Sequence, residues 1–378
     1  MSGENGDYKM VPMRMAVTIP LARPLIGHEE RERILQVLDS GILVADRVVR
    51  EFEEAFAAYL GVPYAVATSS GTAALQVALQ ALGIGRGDRV VTTPFSFAAT
   101  SHAVLHVGAE PVFADVDPRT YNLDPDAVEA VVRRGGIRAL LVVHLYGLPA
   151  DMDALGALAE RHRLLLIEDC AQAHGAAWRG RKVGTFGHAA IFSFYPTKNM
   201  TTGEGGMVVT ADPEVARVAR LLVDPRGDAE YRYDIVGYNF RMTDIAAAMG
   251  LPQLARLERH NAVRRANAAV LTEAFRDLAW LRPPAEPPGA HHVYNQYTVR
   301  VEGRDAFARY LAREGIGHKV FYPVLIPHTP AYRRLGFDGH FPVAERLTRE
   351  VLSLPVHPGL APQDLRRIVD VVSAYRPT

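Results

Sequence analysis

Between Tyr64 and Asp169, short apolar runs alternate with stretches whose apolar residues recur at helical spacing. Tyr64–Thr68, Arg89–Thr93, Pro111–Asp115, Ala139–His144 and Leu164–Ile167 read as strands. Thr72–Leu82, Ser96–Val107, a segment opened by Asp124-Pro125, and Asp151–His162 read as helices. The third of these has Asp as N-cap and Pro in the first turn. This alternation predicts an α/β fold with a mostly parallel central sheet covered by helices on both faces. Ligands of such sheets bind at the carboxyl ends of the strands.

The flanks have other patterns. Leu21–Leu25 fits an extended arm. Two amphipathic helices follow, Glu29–Ser40 closed by Gly41 and Val48–Leu60 closed by Gly61. Ala189–Phe194 and Met207–Thr210 are apolar enough for two more strands, separated by the glycine-rich turn Gly203-Glu-Gly-Gly206. Asp224–Tyr238 is polar and aperiodic, and is expected to be a long functional loop. Thr243–Arg276 is a long helical stretch, expected to break or bend near Pro252. The proline-rich Pro283–Pro288 introduces a smaller C-terminal unit. There, strand Tyr297–Val301, helix Asp305–Glu314, strand His318–Tyr322 and helix Ala361–Ala374 are expected. The expected division is a flexible tail over 1–18, a large domain with an N-terminal arm over 19–250, and a linking helix with a small α+β domain over 251–378.

Composition narrows the function. The chain has 378 residues, with 42 basic and 42 acidic side chains. That balance gives no electrostatic footprint for nucleic acid or an anionic membrane. No apolar run approaches the length of a membrane span. The single cysteine, Cys170, excludes an intrachain disulfide and a cysteine-rich zinc site, and points to a reducing, cytoplasmic setting.

Three groups fall at the ends of expected strands. Ser69-Ser-Gly-Thr72 precedes a helix and offers free backbone N–H groups at its N-terminus, a phosphate site by its chemistry and otherwise a simple cap. Asp169 ends an apolar strand, with Glu168 pointing to the other face. Lys198 lies between two strands, flanked by aromatics and a tight turn. Lysine is expensive to bury, and a desolvated amine loses its proton and condenses with aldehydes. A lysine for an aldehyde, an acid for a ring nitrogen, a phosphate cup and an aromatic face (Phe95 or Phe97) together suit pyridoxal 5'-phosphate (PLP).

The motifs Ser69-Ser-Gly-Thr-Ala-Ala-Leu75, His144-Leu-Tyr-Gly147, Glu168-Asp-Cys-Ala-Gln-Ala-His-Gly175, Ser193-Phe-Tyr-Pro-Thr-Lys-Asn199 and Gly237-Tyr-Asn-Phe-Arg-Met-Thr-Asp244 occur in this order. With them the chain resembles the DegT/DnrJ/EryC1/StrS family of sugar aminotransferases, within fold type I of PLP-dependent transferases. The resemblance implies that Lys198 forms the Schiff base and that Asp169 pairs with the pyridine nitrogen. It implies further that Gln172 lies near the ring hydroxyl, that Phe97 stacks on the ring with Phe95 as the fallback, and that Gly71, Thr72 and Ser193 contact the phosphate. Asn239 matches a residue that reaches the cofactor of a neighbouring subunit, which implies a homodimer with shared sites. Tyr195, Arg241, Tyr322 and His328 match the substrate side, where Arg226 and Arg232 are further candidates for an anionic group. His174 matches either a direct contact or a supporting role. Two segments depart from the family pattern: Val44-Ala-Asp-Arg47 replaces a glycine-containing turn, and Asn295 stands where many members carry histidine. The implied reaction moves an amino group from an amino acid, glutamate foremost, to a nucleotide-linked keto sugar, with no metal. Alternatives are a cyclitol aminotransferase, a dehydratase (against which Lys198 argues) and a non-catalytic regulatory protein.

Overall fold

The computed structural model describes residues 18–226 and 233–377. The expected N-terminal tail, Thr18 excepted, and Arg232 lie outside the described residues. The first part of the chain forms α1 (His28–Ser40), α2 (Arg47–Leu60), β1 (Tyr64–Thr68), α3 (Gly71–Ala81), β2 (Arg89–Thr92), α4 (Ala99–His106), β3 (Glu110–Phe113), α5 (Pro125–Val132), β4 (Ala139–Val143), α6 (Met152–Arg161) and β5 (Leu165–Asp169). Two short strands, β6 (Ala177–Trp178) and β7 (Arg181–Lys182), precede β8 (Ala189–Ser193) and β9 (Gly206–Thr210), and α7 (Pro213–Val223) follows.

Seven of these strands form one sheet in the order β1-β9-β8-β5-β4-β2-β3. Only β9 runs against the others, pairing antiparallel with both β1 and β8. The period-two alternation of each strand separates two cores. Val66, Leu141, Ile167, Ile191 and Val208 face α3, α4 and α7. Ala65, Ala67, Ala190, Phe192 and Met207 face α2 and α8 (Asp244–Phe275), while Leu140, Val142 and Leu166 face α5 and α6. Helices therefore cover both faces, as the alternation predicts.

Helix α8 continues through Pro252 without interruption, contrary to the expected break. Its first half packs Ala247, Ala248, Leu254 and Leu257 into the core of α2 and the sheet. Its second half packs Ala268, Leu271 and Phe275 into a separate core built on a small sheet. Burial on both halves keeps the helix continuous past the one N–H that proline lacks. The expected boundary at 250/251 thus lies inside one helix.

The remaining elements are β10 (Leu281–Arg282), β11 (Ala290–His291), β12 (Tyr297–Val301), α9 (Arg304–Arg313), α10 (Pro330–Arg334), α11 (Pro342–Glu350), β13 (Val351–Leu354) and α12 (Pro362–Ala374). Strands β10, β12 and β13 form the small sheet, and β11 pairs with β6. The expected strand His318–Tyr322 does not form. Its place beside β12 is taken by β13, and only Lys319 bridges to Ser353. Pro323 ends any ladder there, and the Tyr322 side chain is drawn to Gln172 instead. The N-terminal arm is tied to this unit, with Ile19 buried and bridged to Ile316.

Candidate active site

Strands β1, β2, β4, β5 and β8 all run the same way, so the segments that leave their carboxyl ends gather on one edge of the sheet. The Ser69–Thr72 turn follows β1, the Pro94–Ala98 loop follows β2, Asp169 closes β5, and Ser193 closes β8. Gly206 pairs with both Thr68 and Ser193, which aligns these ends. The N-terminus of α3 comes close against β8. A Cβ added at Gly71 would lie 2.7 Å from the Ser193 Cβ, so only glycine fits. Ser70 caps the helix by accepting from the Ala73 N–H, and the preceding turn is held by the Ser69 N–H to the Phe240 carbonyl at 2.6 Å. The close approach of Gly71 to Ser193 sets the start of α3, with Thr72, beside the Ser193 hydroxyl, a set of donor groups of the kind that a phosphate accepts from.

Asp169 shares the face of Ile167 and Ile191, toward α3 and α4. It is almost wholly buried. Its Oδ2 accepts from the Thr100 hydroxyl at 2.8 Å and its Oδ1 from the Ala171 N–H at 3.1 Å. Burial raises its pKa, while Thr100, Ala171 and the Lys198 charge pull it back down. Each carboxylate oxygen keeps lone-pair capacity for a further donor, as a ring N–H would supply. The Lys198 amine is lowered to about 8 by burial, with Asp169 opposing the shift. Lysine and acid therefore act on one another across the site.

Glu168 has a different task. Its side chain accepts from the Gly184, Phe186 and Gly187 N–H groups at 2.7–2.8 Å and meets His144 Nε2 at 3.0 Å. His144 Nδ1 accepts from the Ala150 N–H, so Nε2 carries the proton toward Glu168. The two neighbouring acids do not act together, as strand alternation predicts.

Gln172 is buried and fixed from both sides. Its Oε1 accepts from the Tyr146 N–H at 2.7 Å and its Nε2 donates to the Tyr322 hydroxyl at 3.1 Å. The aromatic candidates separate clearly. Phe95 is fully buried in a core cluster with Tyr146 and Tyr332, whereas Phe97 is 62% exposed. The expected helix Ser96–Val107 begins only at Ala99, because the Ser96 hydroxyl bonds Thr100 and the Phe97 carbonyl. That leaves Phe97 on the loop, free to stack. Tyr195 is 47% exposed, and Asn239 is exposed.

The other expected substrate residues are engaged elsewhere. Arg241 and Arg226 share the Asp224 carboxylate, at 3.2 Å and 2.5 Å. His328 Nε2 meets the Gly339 carbonyl at 2.8 Å and Asp338 at 3.6 Å, and lines a cleft of about 420 Å³ with Arg333 and Arg349. Its loop is pinned to the site by the Ile326 N–H to the Pro94 carbonyl and by the Tyr146 hydroxyl to the Phe321 carbonyl. The His174 ring packs against Phe192 and Phe194, on the face opposite Asp169, and burial and the Lys198 charge lower its pKa to about 3.

Sequence reasoning missed Thr100 and Asn261; it named Asn199 within the lysine motif and Asn295 as a departure from the family pattern, but not their bonds around Lys198. Thr100 carries no sequence signal beyond its place one turn into α4. The amides lie far apart along the chain.

The profile of the DegT/DnrJ/EryC1/StrS aminotransferase family matches residues 24–373. The chain belongs to this family. It is 41% identical to a UDP-N-acetyl-3-dehydro-alpha-D-glucosamine 3-aminotransferase of Acidithiobacillus ferrooxidans, over 89% of this chain and 91% of that one. It is 39% identical to a pleiotropic regulatory protein of Geobacillus stearothermophilus, over 91% and 95%. Among solved structures, Streptomyces venezuelae DesV in complex with a ketimine intermediate superposes with a TM-score of 0.88 at 41% identity, covering 91% of this chain and 93% of that one. The fold of the chain is that of these aminotransferases. Among the described residues, no helix is long and apolar enough to cross a membrane.

Proposed function

We propose that this family member is a PLP-dependent aminotransferase that moves an amino group from an amino acid, glutamate foremost, to a keto sugar linked to a nucleoside diphosphate. The relatives acting on nucleotide-linked amino sugars support the substrate class. The observation that carries the reading is Lys198 opposite buried Asp169: an amine lowered to about 8 and an acid that retains acceptor capacity, both at the carboxyl edge of the sheet.

PLP, when bound, supplies an electrophilic carbonyl and an electron-accepting ring. Lys198 Nζ would be the group that holds the cofactor, condensing with its carbonyl with loss of water, and as a free amine it would be placed to take the proton from the donor α-carbon and to hand a proton back. With a pKa of about 8, about a tenth of the amine is neutral at pH 7, roughly 300-fold more than for an unperturbed lysine. Asp169 would hold its negative charge at the ring nitrogen. Gln172 would orient the ring edge and Phe97 would cover its face. Gly71, Thr72 and Ser193 would hold the phosphate. Asn239 reaches into the site of a second copy, so the working unit is a homodimer, in the cytoplasm. Tyr195, Tyr322, Arg241 and His328 line the sugar side; for Arg241 this requires release from Asp224. Residues 19–250 form the cofactor-binding domain, and 251–378 the linking helix and the small domain.

The name of the Geobacillus relative favours one second reading, a regulator that binds the cofactor without turnover. An absorption spectrum before and after glutamate separates the two. The aminotransferase shows a visible band that glutamate converts to a shorter-wavelength one. A band indifferent to every amino donor supports the regulator. No band after incubation with PLP overturns both.

A further inference from the structure

Lys198 sits in a loop with few backbone bonds of its own. Its N–H closes a turn on the Tyr195 carbonyl, and the next backbone anchor is the Thr202 N–H to the Phe194 carbonyl. What fixes the residues on either side of the lysine is a set of buried amides. Asn295 Nδ2 donates both of its hydrogens, one to the Thr197 carbonyl at 3.2 Å and one to Asn199 Oδ1 at 3.0 Å. It grips the chain immediately before and immediately after Lys198. Asn199 Nδ2 in turn donates to Asn261 Oδ1 at 2.8 Å and to the Val293 carbonyl at 3.1 Å. Asn261 Nδ2 donates to the His174 carbonyl at 2.8 Å. The relay ties the lysine loop to α8, to the segment entering β12, and to the turn that follows Asp169.

The orientation of each amide is dictated by its neighbours. Turning Asn295 over would set its oxygen against two acceptors. The arrangement leaves Asn295 Oδ1 buried without a partner. A buried acceptor left unpaired is a poor choice for stability alone. Asn295, in the segment entering β12, is an amide whose side-chain hydrogen bonds among the described residues all go to the chain on either side of Lys198.

We propose that Asn295, acting through Asn199 and Asn261, is the positioning residue for Lys198. The relay holds the loop so that the amine is directed into the site and kept from water. This rests on Lys198 being the reactive lysine of the proposed function.

The chain lends itself to a direct test, since it has four lysines, Lys9, Lys182, Lys198 and Lys319. Full-length protein freed of cofactor is mixed with PLP, trapped with borohydride at intervals across pH, and mapped by peptide mass spectrometry. In the wild type, Lys198 reacts fastest, with a midpoint near 8. In Asn295→Ala the Lys198 rate falls at least tenfold and its midpoint moves up by at least half a pH unit, while Lys182 and Lys319 change less than twofold. Asn261→Ala, at the far end of the relay, moves Lys198 in the same direction by less, and decides the matter should Asn295→Ala not fold. Unchanged Lys198 kinetics in the folded variants overturn the proposal, as does a parallel change at all lysines. A wild type that never favours Lys198 overturns instead the proposed function itself.

Discussion

Half-buried Lys198 and buried Asp169 hold opposite tendencies in one partly desolvated space. Desolvation pushes the amine toward its neutral form and the carboxyl toward its protonated form, and each opposes the shift of the other. Lys198→Ala is expected to abolish covalent PLP attachment and turnover with the fold retained, as read by borohydride trapping and circular dichroism. Asp169→Asn keeps the shape but not the charge, and should lower kcat by about 10²–10³. The same amine has a stability signature in the cofactor-free protein. Between pH 8 and 10.5 the unfolded chain keeps a proton on Lys198 that the folded chain has released, so this residue makes stability rise with pH across that window. Lys198→Met should therefore be more stable than the wild type at pH 7 by about 2–3 kcal/mol, with the difference shrinking above pH 8. Urea titrations at pH 7 and 10 would show this, and a pH-independent difference would contradict it.

At the scale of elements, two buried carboxylates organise parts that are distant in sequence. Asp244, at the start of α8, accepts from the Asp46, Val48 and Val49 N–H groups and so caps α2 from outside it. The exposed apolar loop Ile42–Val44 enters α2 through this cap. Asp244→Ala should lower the unfolding free energy by about 2–3 kcal/mol, and Asp244→Asn by less, since one acceptor remains. A denaturation midpoint unchanged in both would refute the role. Glu168 does the same for the 184–187 turn, and it shows why adjacent acids at a strand end take separate roles: one faces α4 and the site, the other faces the opposite core. The elements themselves were readable where period and caps agree, as in α2, α3 and β4. The Pro252 break and the His318–Tyr322 strand were not, because burial along α8 and competition from β13 decided them.

For the whole molecule, folding excludes protons from several buried histidines. His174 and His292 are both brought to about 3, chiefly by burial, and His102, His260, His291 and His357 are lowered too. Below pH 6.5 the unfolded chain takes up protons that the folded chain refuses, so stability falls with acid by about 1.4 kcal/mol per pH unit for each strongly shifted histidine. Asp169 and Glu53, with raised pKa values, oppose this at lower pH. The urea midpoint should drop between pH 6.5 and 5, and His292→Asn, whose oxygen can still accept the Tyr294 N–H, should flatten that drop.

Local sequence determined the parallel sheet, the helices on both faces, and the Lys198, Asp169 and Ser69–Thr72 groups at its edge. Periodicity and the chemistry of short motifs are properties of neighbouring residues. Tertiary structure alone decided that Phe97 rather than Phe95 is open, that Thr100 supports Asp169, that Arg241 is paired with Asp224, and that three asparagines spread from 199 to 295 meet around Lys198. Those outcomes depend on which distant segments pack together, and no pattern along the chain encodes a hydrogen bond across 96 residues.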